Sequence, residues 1–470
     1  MTRRSWLAAG VAPFVAKAAA RKRPNVVMFM TDDHGAWASS VGGCAGMHTP
    51  HMAQLAAGGA KFDRAFAATP VCSPSRVTYI TGTLPSRHGV HDWLRPPDSF
   101  GGQSRRWLQG LDTYSKVLEK NGYALGMTGK WHMGHDDEAQ EGFRYWATVP
   151  GGGGTFKDAV FVANGKPAEV KPGFKEDAIG DFALDFLDQR KGGQDPFYLL
   201  VPFYAPHSPY DYQPPADRAH YENSKFDCFP RLPRHPWANR GLAKDHLIEN
   251  SMRGYSSLVT GMDRNVGRVL DFLDRNGLRK DTTVIFTADQ GYNTGHHGVW
   301  GKGNGTWPFN MYEESIRVPL IWNHPGRIAP GRTHRPMVSS YDYFPTLLDW
   351  LGVPAPAASA ADRPGRSYAG YLRGQPPSKW RNRLYFEYSM VRAVRTENLK
   401  LVMRTKEWPG ELYDLEADPG ETRNLYEEAS AAKQRGALAT DLEAFFRRMK
   451  APELENWRST AKQELTEYSR

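Results

Sequence analysis

"NVVMFMTDDHG", residues 25–35, carries the reading of the fold: an unbroken apolar run ends abruptly in two aspartates, a histidine and a glycine. A short β-branched and apolar run bounded by polar residues reads as a strand buried on both faces, the setting of a parallel strand in an α/β sheet. The grammar recurs three times. "YALGMT" (123–128) runs into Gly129-Lys130-Trp131-His132, "FYLLVPFYA" (197–205) into Pro206-His207-Ser208-Pro209, and "TTVIFTA" (282–288) into Asp289-Gln290-Gly291. Ligands of open α/β sheets bind beyond the carboxyl ends of the strands, so these clusters are expected to meet along one edge.

Helical signals lie between the runs. Asp112 and Thr113 can cap "YSKVLEKNG", which stops at Gly122, and Leu258, Met262, Val266, Leu270 and Leu273 form one apolar stripe ended by Gly277. Alternating strand and helix predicts a doubly wound α/β sheet. Residues 95–110 and 210–245 resist both periodicities, and their Pro and aromatic content predicts ordered loops that cover a site. A Pro/Ala/Ser-rich stretch at 352–367 reads as a linker. Beyond it, "RLYFEYSMVRAVRTENLKLVMR" predicts short antiparallel strands, followed by a charged terminal helix. The expected organisation is an N-terminal α/β domain over 21–355 and a smaller α+β subdomain over 356–470.

Residues 1–20, "MTRRSWLAAGVAPFVAKAAA", have a basic start, a short apolar middle and small residues at the end, the layout of an export signal; Arg3-Arg4 resembles a twin-arginine signal. The other reading is a frayed N-terminal helix. No later apolar run is long enough to span a bilayer. The formal net charge of +9 comes from scattered basic residues, which argues against nucleic acid and for a mild bias toward anionic substrates. Three cysteines make no disulfide framework; Cys44 and Cys228 are either a pair in an oxidising compartment or two buried thiols.

Asp32, Asp33, Asp289 and Gln290 offer only oxygen, the ligand set of Ca²⁺ or Mg²⁺ and not of zinc. An Asp-Asp pair after a strand also serves as a loop or helix cap. In "CSPSRVTYITG" (72–82), Pro74 fits a first helical turn, whose free N–H groups together with Arg76 form an anion-binding pocket beside Cys72. A plain thiol there is expected to have a low pKa. A thiolate nevertheless matches a hard, oxygen-ligated cation poorly, so the chemistry wants an oxygen nucleophile at 72.

Cys72-Ser73-Pro74-Ser75-Arg76 with Thr81-Gly82 resembles the signature of the type I, formylglycine-dependent sulfatases of the alkaline phosphatase superfamily. The resemblance implies a large mixed sheet flanked by helices. It also implies that a maturation enzyme oxidises Cys72 to formylglycine, whose hydrate presents the missing oxygen nucleophile. It puts residue 72, Asp32, Asp33 and Asp289 on a calcium ion, with Gln290 where the family usually has Asn or His. Arg76 would steady the hydrate. Lys130 and His132 match the family's "GKWH", His207 its "PHxPY" and Lys302 its second sulfate-binding lysine. His207 would protonate the leaving oxygen, and His132 would take a proton from residue 72. "LYDLEADPGETRNL" (412–425) is similar to the family's C-terminal segment. The implied function is hydrolysis of sulfate monoesters; the export signal and the large aromatic loops point to a sulfated saccharide as substrate and to the bacterial periplasm or medium as location. The same activation motif serves phosphonate monoester and phosphodiester hydrolases, and a silent binder of sulfated glycans would keep the fold without the chemistry. Taken singly, Lys130 and Lys302 read as solvated lysines and His207 as a packed loop residue. His135, His296, His297, Trp300, Trp307, Tyr204, Tyr210 and Tyr212 read equally as a subsite or as packing.

Overall fold

A computed structural model describes residues 23–356, 363–405 and 408–451; the expected export signal at 1–20 lies outside the described residues. Numbered along the chain, β1 is Asn25–Thr31, β2 Ala60–Phe62, β3 Ala124–Gly129, β4 Tyr145–Thr148, β5 Phe161–Ala163, β6 Lys166–Ala168, β7 Phe197–Pro202, β8 Thr282–Ala288, β9 Leu320–Asn323 and β10 Arg332–His334. They form one sheet of order β10-β2-β9-β8-β1-β7-β3-β4-β5-β6. The central strands β8, β1, β7, β3 and β4 are parallel, whereas β9 runs antiparallel to β8 and to β2, and β5 and β6 turn back at the far edge. The sheet is therefore mixed, with its parallel part where the long apolar runs predicted it.

Register brings the four strand ends level. Thr31 stands opposite Ala288 and Met30 opposite Pro202. Past the strands the backbone stays tied: the N–H of Asp289 donates to Thr31 C=O at 2.9 Å, that of Asp32 to Ala205 C=O at 3.2 Å, and that of Lys130 to Pro202 C=O at 2.8 Å. The chemistry-bearing residues thus leave the sheet from fixed backbone.

Helices cover both faces. α1 (Pro50–Ala57), α4 (Lys175–Arg190) and α5 (Glu249–Arg275) lie on one, and α2 (Cys72–Thr81), α3 (Tyr114–Lys120) and α6 (Ser340–Leu351) on the other. Alternation along β1 divides the core: Val27 and Phe29 pack with Leu258, Met262 and Val266 of α5, while Val26, Met28 and Met30 pack with Ile80, Leu118 and Leu347. Each such fully buried aliphatic side chain contributes about 1.5–3 kcal/mol. The caps follow the sequence reading. Thr113 Oγ1 accepts the Lys116 N–H at 3.3 Å at the start of α3, and the chain turns away beyond α5 at Gly277, φ 66°.

β11 (Leu384–Tyr388), β12 (Val391–Arg395), β13 (Leu399–Arg404) and β14 (Glu411–Asp414) form an antiparallel sheet covered by α7 (Ala432–Met449). Its inner face shares a core with Phe66, Val71, Cys72 and Phe309, so the C-terminal sheet packs directly behind the start of α2. Residues 210–245 are largely irregular yet ordered around buried Tyr221, Phe226 and Phe229.

Cys44 and Cys228 are disulfide-bonded, Cα to Cα 5.6 Å, which decides between the two readings of these cysteines and ties 210–245 to the loop after β1. Closing a loop of 184 residues restricts the unfolded chain, so replacing both cysteines by serine is expected to cost about 5 kcal/mol. Thiol titration of denatured protein still carrying Cys72 as thiol checks the pairing, with one reactive thiol expected before reduction and all three after it.

Candidate active site

α2 begins at Cys72, so the residue sits on the first turn with its side chain buried, and Arg76 follows one turn later on the same face. The Arg76 guanidinium grips Asp289 Oδ2 through Nε at 2.8 Å and Nη2 at 2.7 Å, stands 3.8 Å from Asp32 Oδ2, and donates through Nη1 to Lys130 C=O. The Ser75 hydroxyl donates to the Asp289 carbonyl. The helix is thereby fastened across the ends of β8 and β3.

Asp32 and Asp33 leave β1 together, Asp33 with a left-handed φ of 62° that redirects the chain. Lys130 Nζ is ion-paired with Asp32 Oδ2, and Lys302 Nζ lies 2.6 Å from Asp33 Oδ1 and 3.9 Å from Asp32 Oδ1. The Gln290 amide donates to Asp33 Oδ1 at 2.6 Å and Asp32 Oδ1 at 3.2 Å, while its Oε1 is buried without a partner among the described residues. His207 Nδ1–H donates to Ser208 C=O at 2.5 Å, which leaves Nε2 as the pocket-facing nitrogen, 3.6 Å from Asp33 Oδ2; the ring stacks on Tyr204 at 4.9 Å. His132, at φ 58°, donates through Nε2–H to Leu94 C=O at 2.8 Å, and its Nδ1 has no hydrogen-bond partner among the described residues.

Charge here follows from burial and pairing. Burial alone would push Asp32 up, but the ammonium of Lys130, with His207, Lys302 and Arg76 behind it, outweighs burial and holds it well below the usual carboxylate range. Asp289 goes the other way, to about 7, because burial and the neighbouring Asp32 charge exceed the pull of Arg76. Burial, with Lys130 nearby, holds the His132 imidazole neutral. The expected low pKa of Cys72 is overturned: burial raises the thiol, and the pull of Lys302 and Lys130 is insufficient beside Asp32 and Asp289. A thiolate nucleophile is therefore disfavoured for electrostatic reasons as well as for softness.

A cavity of about 360 Å³ opens on Asp33, Cys72, Lys130, His132, His207 and Lys302. Asp32, Arg76, Asp289 and Gln290 lie beneath it, so all the residues singled out for chemistry meet in one place. Lys130 and Lys302 are buried and not solvated. Of the residues left open, Tyr204 lines the cavity. Trp300 and Tyr210 are bonded to each other in the core, His297 is paired with Glu314 at 2.7 Å and stacked on Tyr312, and His296 packs on Trp37. His135 faces Glu138, Trp307 packs on Phe309, and Tyr212 on Phe174. Sequence reasoning missed Trp93, Asn239, Asn304 and the glycines 151–153, which complete the wall. It also missed the buried pair Lys175 and Glu176, where burial pulls the lysine down to about 7 and pushes the glutamate up to about 8. The run "PGGGGT" (150–155) was the one available signal.

A sulfatase family model matches residues 24–353, and an N-sulphoglucosamine sulphohydrolase C-terminal model matches 295–448. The chain belongs to the sulfatase family. It is 28% identical to an N-acetylglucosamine-6-O-sulfatase of Bacteroides thetaiotaomicron, over 90% of this chain and 86% of that protein. It is 29% identical to arylsulfatase A of Homo sapiens, over 87% and 84%. A solved structure in complex with its substrate D-glucosamine-2-N,6-O-disulfate superposes with a TM-score of 0.77 at 26% identity, covering 91% of this chain and 98% of that one. A phosphonate monoester hydrolase of Agrobacterium radiobacter shares the fold, with a TM-score of 0.70 at 21% identity over 91% and 96%. The protein is a sulfatase, an enzyme of sulfate-ester hydrolysis.

The Lys130–Asp32 pair is fully buried. Lys130→Ala strands a buried carboxylate, so chelator-treated Lys130→Ala protein is expected to lose about 3 kcal/mol against chelator-treated wild type in urea unfolding. An unchanged midpoint would mean that Asp32 is not held by this lysine.

Proposed function

We propose that the enzyme removes sulfate from a sulfated saccharide outside the cytoplasm, with residue 72 as formylglycine and a calcium ion held by Asp32, Asp33, Asp289, Gln290 and residue 72. The observation that carries the reading is the convergence of Cys72, Lys130, His132, His207 and Lys302 on one cavity directly above the carboxylates. The donor set suits a hard cation: buried carboxylates surround an amide whose Oε1 lacks a partner among the described residues. When present, the cation would neutralise sulfate oxygens and formylglycine would supply the oxygen nucleophile.

The chain's own groups do the rest. Arg76 fixes the first turn of α2 against Asp289 and so orients residue 72. Lys130 and Lys302 bind the non-bridging sulfate oxygens, and a buried donor aimed at developing charge is typically worth about 3 kcal/mol in the transition state. His207, its tautomer set by Ser208 C=O, protonates the departing alcohol oxygen through Nε2. His132, held neutral and anchored on Leu94 C=O, accepts a proton from residue 72 through Nδ1. Trp93, Tyr204, Asn239 and Asn304 give the wall the aromatic and amide character that suits a sugar ring, and the relatives named for sulfated sugars support that substrate class. The Cys44–Cys228 disulfide supports an oxidising compartment. Two buried lysines facing one anion favour a sulfate monoester over a diester, in which a substituent replaces one of the oxygens they would bind.

Protein co-produced with a formylglycine-generating system should carry a hydrazide-reactive aldehyde on the tryptic peptide that contains residue 72; fully active protein holding only free thiol there would remove the nucleophile. His207→Ala should lose about a hundredfold more kcat on a sugar sulfate than on nitrophenyl sulfate, whose leaving group needs no proton. Equal losses would take His207 out of the acid role.

A further inference from the structure

We infer that Lys175 is a positioning residue for both imidazoles of the site, a role that rests on the reading of His132 and His207 as its proton-transfer groups. Lys175 opens α4, where an ammonium meets the positive end of the helix dipole, and it is 1% exposed. The adjacent buried Glu176 balances its charge, but its hydrogen bonds and its close ring contact are not made within α4. Its contacts run instead toward the active site in two directions.

On one side, Nζ donates to Gly153 C=O and Gly154 C=O, both at 3.1 Å, and so pins the glycine run that forms a wall of the cavity. That run rests on His132: a Cβ on Gly152, whose φ is +63°, would stand 2.4 Å from the His132 ring. On the other side, Nζ lies 3.8 Å from the centroid of the Tyr204 ring. Tyr204 stacks on His207, and its hydroxyl donates at 2.6 Å to Ser208 C=O, the same oxygen that receives the His207 Nδ1–H. The next residue, Glu176, completes the hold by accepting the Ala205 N–H at 3.1 Å. One buried amino group therefore touches the supports of both rings, and a displacement of about 1 Å at a catalytic group can cost about a hundredfold in rate.

The test uses matured, calcium-loaded enzyme with nitrophenyl sulfate and N-acetylglucosamine 6-sulfate as probes. Lys175→Met is expected to lower kcat about tenfold on nitrophenyl sulfate through His132 and about a hundredfold on the sugar sulfate through both rings, with KM within about threefold. Its crystal structure is expected to show the glycine run withdrawn from His132 and the Tyr204–His207 stack opened. Unchanged kcat on both probes, or an equal fall with both rings in place, overturns the role. If Lys175→Met does not fold, Lys175→Arg replaces it, with the same split and ring displacement expected; wild-type kcat despite a shifted glycine run overturns the role. His207→Ala run in parallel separates the two ideas. A split in His207→Ala that is missing in the Lys175 variant refutes Lys175 alone, and no split in His207→Ala refutes the underlying reading.

Discussion

Three carboxylates, Asp32, Asp33 and Asp289, are buried within reach of one another at the carboxyl edge of adjacent parallel strands. Like charges at such range in a medium poorer than water repel by several kcal/mol, and each would be protonated or solvated if left alone. The fold answers with Arg76, Lys130 and Lys302, all buried. Each comes from a different part of the chain: a helix that crosses the sheet edge, the end of β3, and a loop beyond β8. None of these cations is stable there before the carboxylates are in place, and the carboxylates are not stable without the cations, so the site closes as one unit with the sheet.

The C-terminal sheet belongs to this balance as well. Lys400 of β13 is buried against Glu421 and Glu313, and its ammonium also donates to Met311 C=O at 2.6 Å. One residue away, the Asn310 amide donates to Lys302 C=O at 3.0 Å and to Gly303 C=O at 3.2 Å. A line of hydrogen bonds thus runs from the C-terminal sheet to the backbone that presents Lys302. Because that subdomain also shares a core with Cys72, it supports the site from behind and does not merely flank it.

The central strands were legible in the sequence because a parallel strand buried on both faces is an uninterrupted apolar run, and its end is marked where ionisable residues begin. β2, β5, β6 and β10 were not, since strands of three residues pair through backbone and leave no periodicity to read. Lys130, His132, His207 and Lys302 were legible only in combination with Cys72-Ser73-Pro74-Ser75-Arg76; singly, each has a bland reading that only burial excludes. Lys175 left no such mark and the glycine wall only the run at 150–155, because what they do arises from contacts between segments that the sequence keeps apart. The Cys72 thiol was misread for a related reason: a helix N-terminus is visible in sequence, but the burial that outweighs it is a property of the whole fold. Cys44 and Cys228 are 184 residues apart, and only the packing of 210–245 onto the loop after β1 brings them together.

Burial of Cys72 also constrains how the proposed maturation can occur. The side chain is 3% exposed, every residue of α2 is buried, and Arg76 and Ser75 fasten the helix to Asp289. A separate enzyme that converts this thiol to an aldehyde must hold the residue in its own site, and because Cys72 opens a fully buried helix, the first turns of α2 must leave the sheet edge for that. Freeing that much of α2 would break the Arg76–Asp289 pair and expose the carboxylates it compensates, at a cost of about 3–5 kcal/mol for the buried pair alone. Burial also raises the thiol pKa, so even a small oxidant would meet a protonated sulfur in the closed protein. On the proposed reading, oxidation of residue 72 therefore precedes closure of the site, and the same charge network that later orients the aldehyde is what shuts the maturation enzyme out.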